Sequence, residues 1–158
     1  MMYAHTLGDV SWGSRTRTNS NIQMPGWSAS TPSASAQGLK GTQSLSPKAV
    51  ALIGQNGLRR FQEFSEYPKG WDGVDSKSLN PLSIASCDFF VNSLAQAPQV
   101  PSIFMTRRGN LQLGWEAHDG SRIELEFLPN KIEYLIGDDE GTFEIADIGV
   151  LVGRLSAT

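Results

Sequence analysis

Residues 102–136 read SIFMTRRGNLQLGWEAHDGSRIELEFLPNKIEYLI. Apolar side chains recur there at every second position: Ile103 and Met105, then Leu111, Leu113 and Trp115, then Ile123, Leu125 and Phe127, then Ile132, Tyr134 and Ile136. Successive side chains of a strand point to opposite faces, so this period predicts four strands with one buried face. The turns supply a second reading. A one-residue slip in a hairpin sends every apolar side chain to the wrong face, so loop length must have the right parity. Trp115 and Ile123 share a face only across an odd loop. His118-Asp119-Gly120 supplies three residues, with glycine in the left-handed position. Arg107-Arg108-Gly109 does the same one hairpin earlier. Phe127 and Ile132 need an even loop, and Leu128-Pro129-Asn130-Lys131 supplies four residues with proline second in a type I turn. Turn chemistry and parity agree at three hairpins, which predicts an antiparallel meander of fixed register.

Outward from the meander, Phe143 and Ile145 offer a short fifth strand beyond the acidic turn Gly137-Asp138-Asp139-Glu140-Gly141. Asp147 to Leu155 reads as a closing helix or strand. Upstream, Ser46-Pro47 and Asn80-Pro81 each place a capping side chain before a proline at the first helical position. The first helix carries the stripe Val50, Ile53, Gly57, Phe61 and Phe64 with Leu58 beside it, and ends near Tyr67-Pro68. Gly54 and Gly57 weaken it by up to about 1 kcal/mol each, and glycine within the stripe suggests a close neighbour. The second helix carries Ile84, Cys87, Val91 and Leu94, flanked by Ala85 and Phe89, and stops at Pro98 and Pro101. The fold class is therefore α+β: two helices packed on one face of a four- to five-stranded antiparallel meander.

Residues 46–158 form one such domain, long enough to bury a single core. Residues 1–45 read differently, rich in Ser, Thr, Gly, Asn and Gln, with the low-complexity run Ser28 to Ala36. Such a segment buries too little apolar surface to offset its ordering entropy, and is expected to be a disordered, flexible tail. Trp12 and Trp27 within it are either anchors for a partner or incidental, and Met24 offers an alternative start.

Residues 1–50 carry Arg15, Arg17, Lys40 and Lys48 against Asp9, a net +3, whereas residues 51–158 carry nine basic and fifteen acidic groups, a net −6. With an overall charge of −3, nucleic acid is not the expected partner. Cys87 is the sole cysteine, which excludes an internal disulfide and suits a reducing cytoplasm. No run approaches the length of a membrane helix, and the N-terminus lacks a secretory pattern.

The register also assigns the outer face. One cross-strand row reads Phe104, Gln112, Glu126, Glu133, and the next Ser102, Gly114, Glu124, Leu135; Arg122 faces Glu116 as an exposed pair worth about 0.5 kcal/mol. Glu126 and Glu133 should stand directly opposite, an unfavourable arrangement, with Phe104 and Leu135 exposed nearby. An acidic cluster flanked by apolar groups reads as a docking surface for a basic protein partner, or as a solvated face.

Catalytic and cofactor motifs are absent. The two histidines, His5 and His118, fall in the tail and in a hairpin loop. Glu124, Glu126 and Glu133 could supply oxygen ligands to a divalent cation, but without a rigid loop or a histidine the signal is weak. Asp72 and Asp75 do not fit a calcium loop, and no phosphate-cradling loop, Gly-x-Ser-x-Gly elbow or Cys–His pairing occurs.

The string Gly70-Trp71-Asp72-Gly73, the proline-opened helix ending Val91-Asn92-Ser93-Leu94, Pro98-x-x-Pro101, and Gly109-Asn110-Leu111-x-Leu113-x-Trp115-Glu116 together resemble a widespread set of small bacterial proteins of uncharacterised activity. Their pattern is a GWDG turn, a short helix, a proline-rich link and a G-x-I-x-L-x-W strand. The likeness spans roughly residues 50–136. Gly114 departs from it, since a polar or acidic residue is more usual before the tryptophan. The resemblance implies a bacterial domain, of the kind carried on mobile elements, and transfers no catalytic residue. It singles out Trp71 and Asp72 as motif-loop residues. The alternative is structural: Trp71 filling the gap between helix and sheet, and Asp72 capping a turn.

The expectation is a non-enzymatic protein-interaction module, antitoxin- or inhibitor-like, using Phe104, Glu124, Glu126, Glu133 and Leu135. Two alternatives remain: a small metal-dependent hydrolase with a carboxylate site, and a subunit of a larger assembly whose tail orders on its neighbours.

Overall fold

A computed structural model describes residues 39, 41–96 and 99–156. Residues 1–38 and 40 of the tail expected over 1–45, with His5, Trp12, Met24 and Trp27, lie outside the described residues, as does Pro98. The chain runs α1 (Pro47–Glu66), α2 (Pro81–Ser93), β1 (Ser102–Met105), β2 (Leu111–Glu116), β3 (Arg122–Phe127), β4 (Lys131–Ile136), β5 (Asp139–Glu144), a short 3-10 turn, and α3 (Ile148–Leu155). The five strands form one antiparallel sheet in sequence order. This is an α+β fold, with three α-helices among the described residues, the third being the segment the sequence left open between helix and strand.

The register expected from loop parity is the register observed. Phe104, Gln112, Glu126 and Glu133 are successive cross-strand partners, as are Ser102, Gly114, Glu124 and Leu135. Gly109 and Gly120 take the left-handed conformation, with φ of 80° and 86°. The last hairpin turns on Gly137-Asp138, and Gly137, with φ 58°, sits where a II′ turn requires glycine. The full fifth strand brings Glu140 and Glu144 onto the outer face beside Leu135 and Lys131.

Ile103, Leu111, Leu113, Ile123, Leu125, Phe127 and Ile132 are almost wholly buried on the inner face. The helices cover that face: α1 lies along β1, α2 over β2 and β3, and α3 beside α2 and β5. Two helical details differ from the sequence reading. First, α1 is broken at Gly54, whose φ of 65° and ψ of −177° are accessible essentially only to glycine. The break rotates the first turns so that Ala49, Leu52 and Ile53 are buried rather than Val50, and Gly57 faces Ile53 of its own helix. Secondly, α2 buries Phe90, which packs against Phe127 at 5.4 Å between ring centroids, while Phe89 is only half-buried.

Polar side chains lock the layers. Ser83 Oγ accepts from the Leu111 N–H at 2.7 Å, and Ser86 donates to the Leu128 carbonyl at 2.7 Å. Asp88 of α2 accepts from the Ser46 N–H, and Lys48 of α1 donates to the Leu94 carbonyl at the end of α2. Residues 41–45, placed in the tail by composition, run along the domain: the Thr42 N–H donates to the Pro81 carbonyl at 3.1 Å and Leu45 packs on the core. Among the described residues no helix is long and apolar enough to cross a membrane.

Candidate functional site: the open face of the sheet

Among the described residues every helix lies on one side, and the other face of the sheet carries the residues that the register assigned to it. Phe104 is 40% exposed, and the Arg60 guanidinium of α1 reaches round the β1 edge to lie 4.8 Å from its ring centroid. Phe104 leans over Gly114, where an added Cβ would meet Phe104 Cε2 at 3.7 Å and Glu124 Cγ at 4.0 Å. The two rows thus join at a shallow point in the middle of the face. Leu135 is flanked in register by Glu124 and Glu140.

The acidic cluster itself is not an array of free carboxylates. Arg108, at the tip of the β1–β2 hairpin, donates through Nη2 to Glu126 Oε2 at 2.6 Å and to Glu133 Oε2 at 2.7 Å. Thr106 Oγ1 and Asn110 Nδ2 each donate to Glu126 Oε1 at 3.0 Å. Lys131 adds a 3.5 Å ion pair to Glu133. The Arg108 hydrogen bond, foremost, holds the Glu133 carboxyl below its ordinary pKa. Arg122 pairs with Glu124 on its own strand rather than with Glu116, the residue opposite. The expected repulsion between Glu126 and Glu133 is therefore offset by a cation from a loop. The acidic surplus shifts to Glu116, Glu140 and Glu144, which make no ion pair among the described residues. A signal for this was present: two arginines in the hairpin loop, beside a row with facing glutamates.

Trp71 and Asp72 lie away from this face and hold the α1–α2 connection. Trp71 stacks on Tyr67 at 5.0 Å, and its Nε1 donates to the Lys77 carbonyl at 3.1 Å. Asp72 does not cap a turn. Its Oδ2 is 2.6 Å from Arg107 Nε, and that hydrogen bond, foremost, lowers its pKa. The capping is done by Ser76, buried, whose Oγ accepts from the Asp72 N–H and donates to the Gly73 carbonyl, each at 2.9 Å.

Cys87 is buried in the core, and burial pushes its thiol far above the ordinary range, so it is a packing residue rather than a nucleophile. Among the described residues, no three His, Cys, Asp or Glu side chains converge as a metal site. Every buried side-chain nitrogen or oxygen among them has a hydrogen-bond partner. Comparison with family models, curated proteins and solved structures gives no match.

Proposed function

We propose that this chain is a protein-binding module whose open sheet face receives a basic partner. One observation carries the reading: on the face that no helix of the described residues covers, half-buried Leu135 lies between Glu124 and Glu140 in register, and Phe104, 40% exposed, stands on the same face beneath Arg60. Exposed apolar side chains supply area, and a surrounding charge of one sign steers and selects a partner of the other. The net −6 of residues 51–158 adds to that field. An antitoxin- or inhibitor-like role against a basic protein fits this chemistry.

The test uses outer-face residues whose side chains make no hydrogen bond or ion pair among the described residues, and an unchanged circular dichroism spectrum should show the fold intact. A Leu135→Ala, Glu140→Lys, Glu144→Lys variant should lose a basic protein recovered with the wild-type chain from its native host, and the wild-type complex should weaken as salt is raised. Unchanged recovery by the variant would overturn the proposal. Glu126 and Glu133 are the wrong choice, because reversing them also releases Arg108.

A further inference from the structure

At the end of the domain where α2 begins, a cleft of about 610 Å³ opens between the α1–α2 connection and two hairpin loops. Its walls are fixed by backbone pairing. The Lys77 N–H donates to the Arg107 carbonyl at 2.9 Å, and the Asn80 N–H to the Gly109 carbonyl at 2.8 Å. Gly109 comes so close to the connection that a Cβ there would lie 2.3 Å from the Ser78 carbonyl oxygen. The cleft is thus preformed, and lies within the size range of small-molecule sites.

The lining is of one sign. Lys69, Lys77 and Arg108 are among the residues that line the cleft and no Asp or Glu is, although acidic groups outnumber basic ones fifteen to nine over residues 51–158. Lys69 and Lys77 make no ion pair among the described residues. Arg108 is anchored through Nη2, which leaves Nε and Nη1 without an acceptor among the described residues. Leu79, Pro81 and Pro129 form an apolar wall. The helix amides contribute nothing here: Pro81 has no N–H, and those of Leu82 and Ser83 are bonded to Asn80.

We propose that this cleft binds a phosphorylated small molecule. Two lysines with no ion pair among the described residues, beside the Nε and Nη1 of an Arg108 already bonded to Glu126 and Glu133, suit a multiply charged group better than a single carboxylate: the lysines act as point charges and the guanidinium as a planar donor. The apolar wall takes the rest of the ligand. The chain's own residues 1–40 are the wrong occupant, since Arg15, Arg17 and Lys40 outnumber Asp9. The cleft shares Arg108 with the Glu126–Glu133 cluster of the sheet face, but Lys69 and Lys77 belong to the cleft alone, so the two readings are tested separately.

Isothermal titration of the full chain with inorganic pyrophosphate, and separately with adenosine triphosphate, should give saturable binding at millimolar concentration or below. A Lys69→Gln, Lys77→Gln variant should bind about ten-fold more weakly, the loss expected of two solvent-exposed ion pairs. Those two side chains make no hydrogen bond of the fold, and an unchanged circular dichroism spectrum should show it intact. Arg59→Gln, a cation removed from α1, should leave the affinity unaltered. Absence of binding by both probes, equal affinity in the double variant, or equal affinity for citrate would each overturn the proposal.

Discussion

Glu126 of β3 and Glu133 of β4 stand directly opposite each other, and a single nitrogen of Arg108 is hydrogen-bonded to both. Facing like charges destabilise a sheet. Here a side chain half a hairpin away converts them into a three-charge cluster, with Glu126 further held by Thr106 and Asn110. Arg108→Ala should therefore destabilise the domain by about 1–2 kcal/mol, more than a half-exposed loop residue ordinarily contributes. Urea denaturation at neutral pH measures it. Adding Glu133→Gln to that variant should recover part of the loss, because it removes one of the facing charges. A cost within about 0.3 kcal/mol of zero would mean that the cluster is not coupled.

The same cluster sets a pH dependence. Glu133 has its pKa lowered in the folded chain, first by the Arg108 hydrogen bond, from an ordinary value of 4.5. A carboxylate with a depressed folded pKa contributes stability that is present above its unfolded pKa and is lost as pH falls through the folded value. Stability should accordingly be flat near neutrality and decline below about pH 4.5. Asp72, lowered by Arg107, falls in the same acid window. In Arg108→Ala the decline should be shallower, read from denaturant midpoints across an acid series. An identical slope in the two proteins would refute the assignment.

The meander was legible because three local rules converged on it: alternation, loop parity and glycine at the turning position. Each is one-dimensional, and together they gave the cross-strand partners of Glu126 and Leu135. What was not legible depends on where a long side chain goes. Arg108 lies in a loop whose backbone parity fixes, but its reach back to Glu126 and Glu133 is a property of three dimensions. The basic cleft had no spacing signal, since Lys69 and Lys77 belong to the α1–α2 connection and Arg108 to a hairpin loop that backbone pairing draws beside it. Ser83 and Ser86 are buried although polar, because each bonds to backbone of the sheet or its hairpins, which no stripe of apolar residues signals.

Two glycines should respond in opposite ways to alanine. Gly54 has open space around its Cβ position but holds φ at 65°, so Gly54→Ala should cost about 1–3 kcal/mol through backbone strain alone. Gly114 lies in β2 without a positive φ, and a Cβ there would meet nothing nearer than 3.7 Å. Gly114→Ala should stabilise by about 0.5–1 kcal/mol, mainly by restricting the unfolded chain. Thermal unfolding of the two variants should give shifts of opposite sign. A stabilised Gly54→Ala would mean that the helix runs straight.

The neighbours Phe89 and Phe90 give the sharpest test of how α2 sits on the sheet. A stripe drawn through Ile84, Cys87 and Val91 sets Phe89 beside the buried face and leaves Phe90 unassigned. The packed helix buries more of its circumference than one stripe, since α3 lies against it as well as the sheet. Phe90 is 1% exposed, its ring against Phe127, and Phe89 is half-buried at the edge of the core. Truncating a fully enclosed phenylalanine removes its transfer energy and leaves a cavity, so Phe90→Ala should cost about 3–5 kcal/mol. Phe89→Ala, whose site is already open to solvent, should cost about 1 kcal/mol. Against a total stability of about 5–15 kcal/mol for a domain of this kind, the first should lower the urea midpoint severely and the second only slightly. Equal costs, or the reverse order, would require α2 to be rotated by one residue, and would move Ser83 away from the Leu111 N–H that it now accepts.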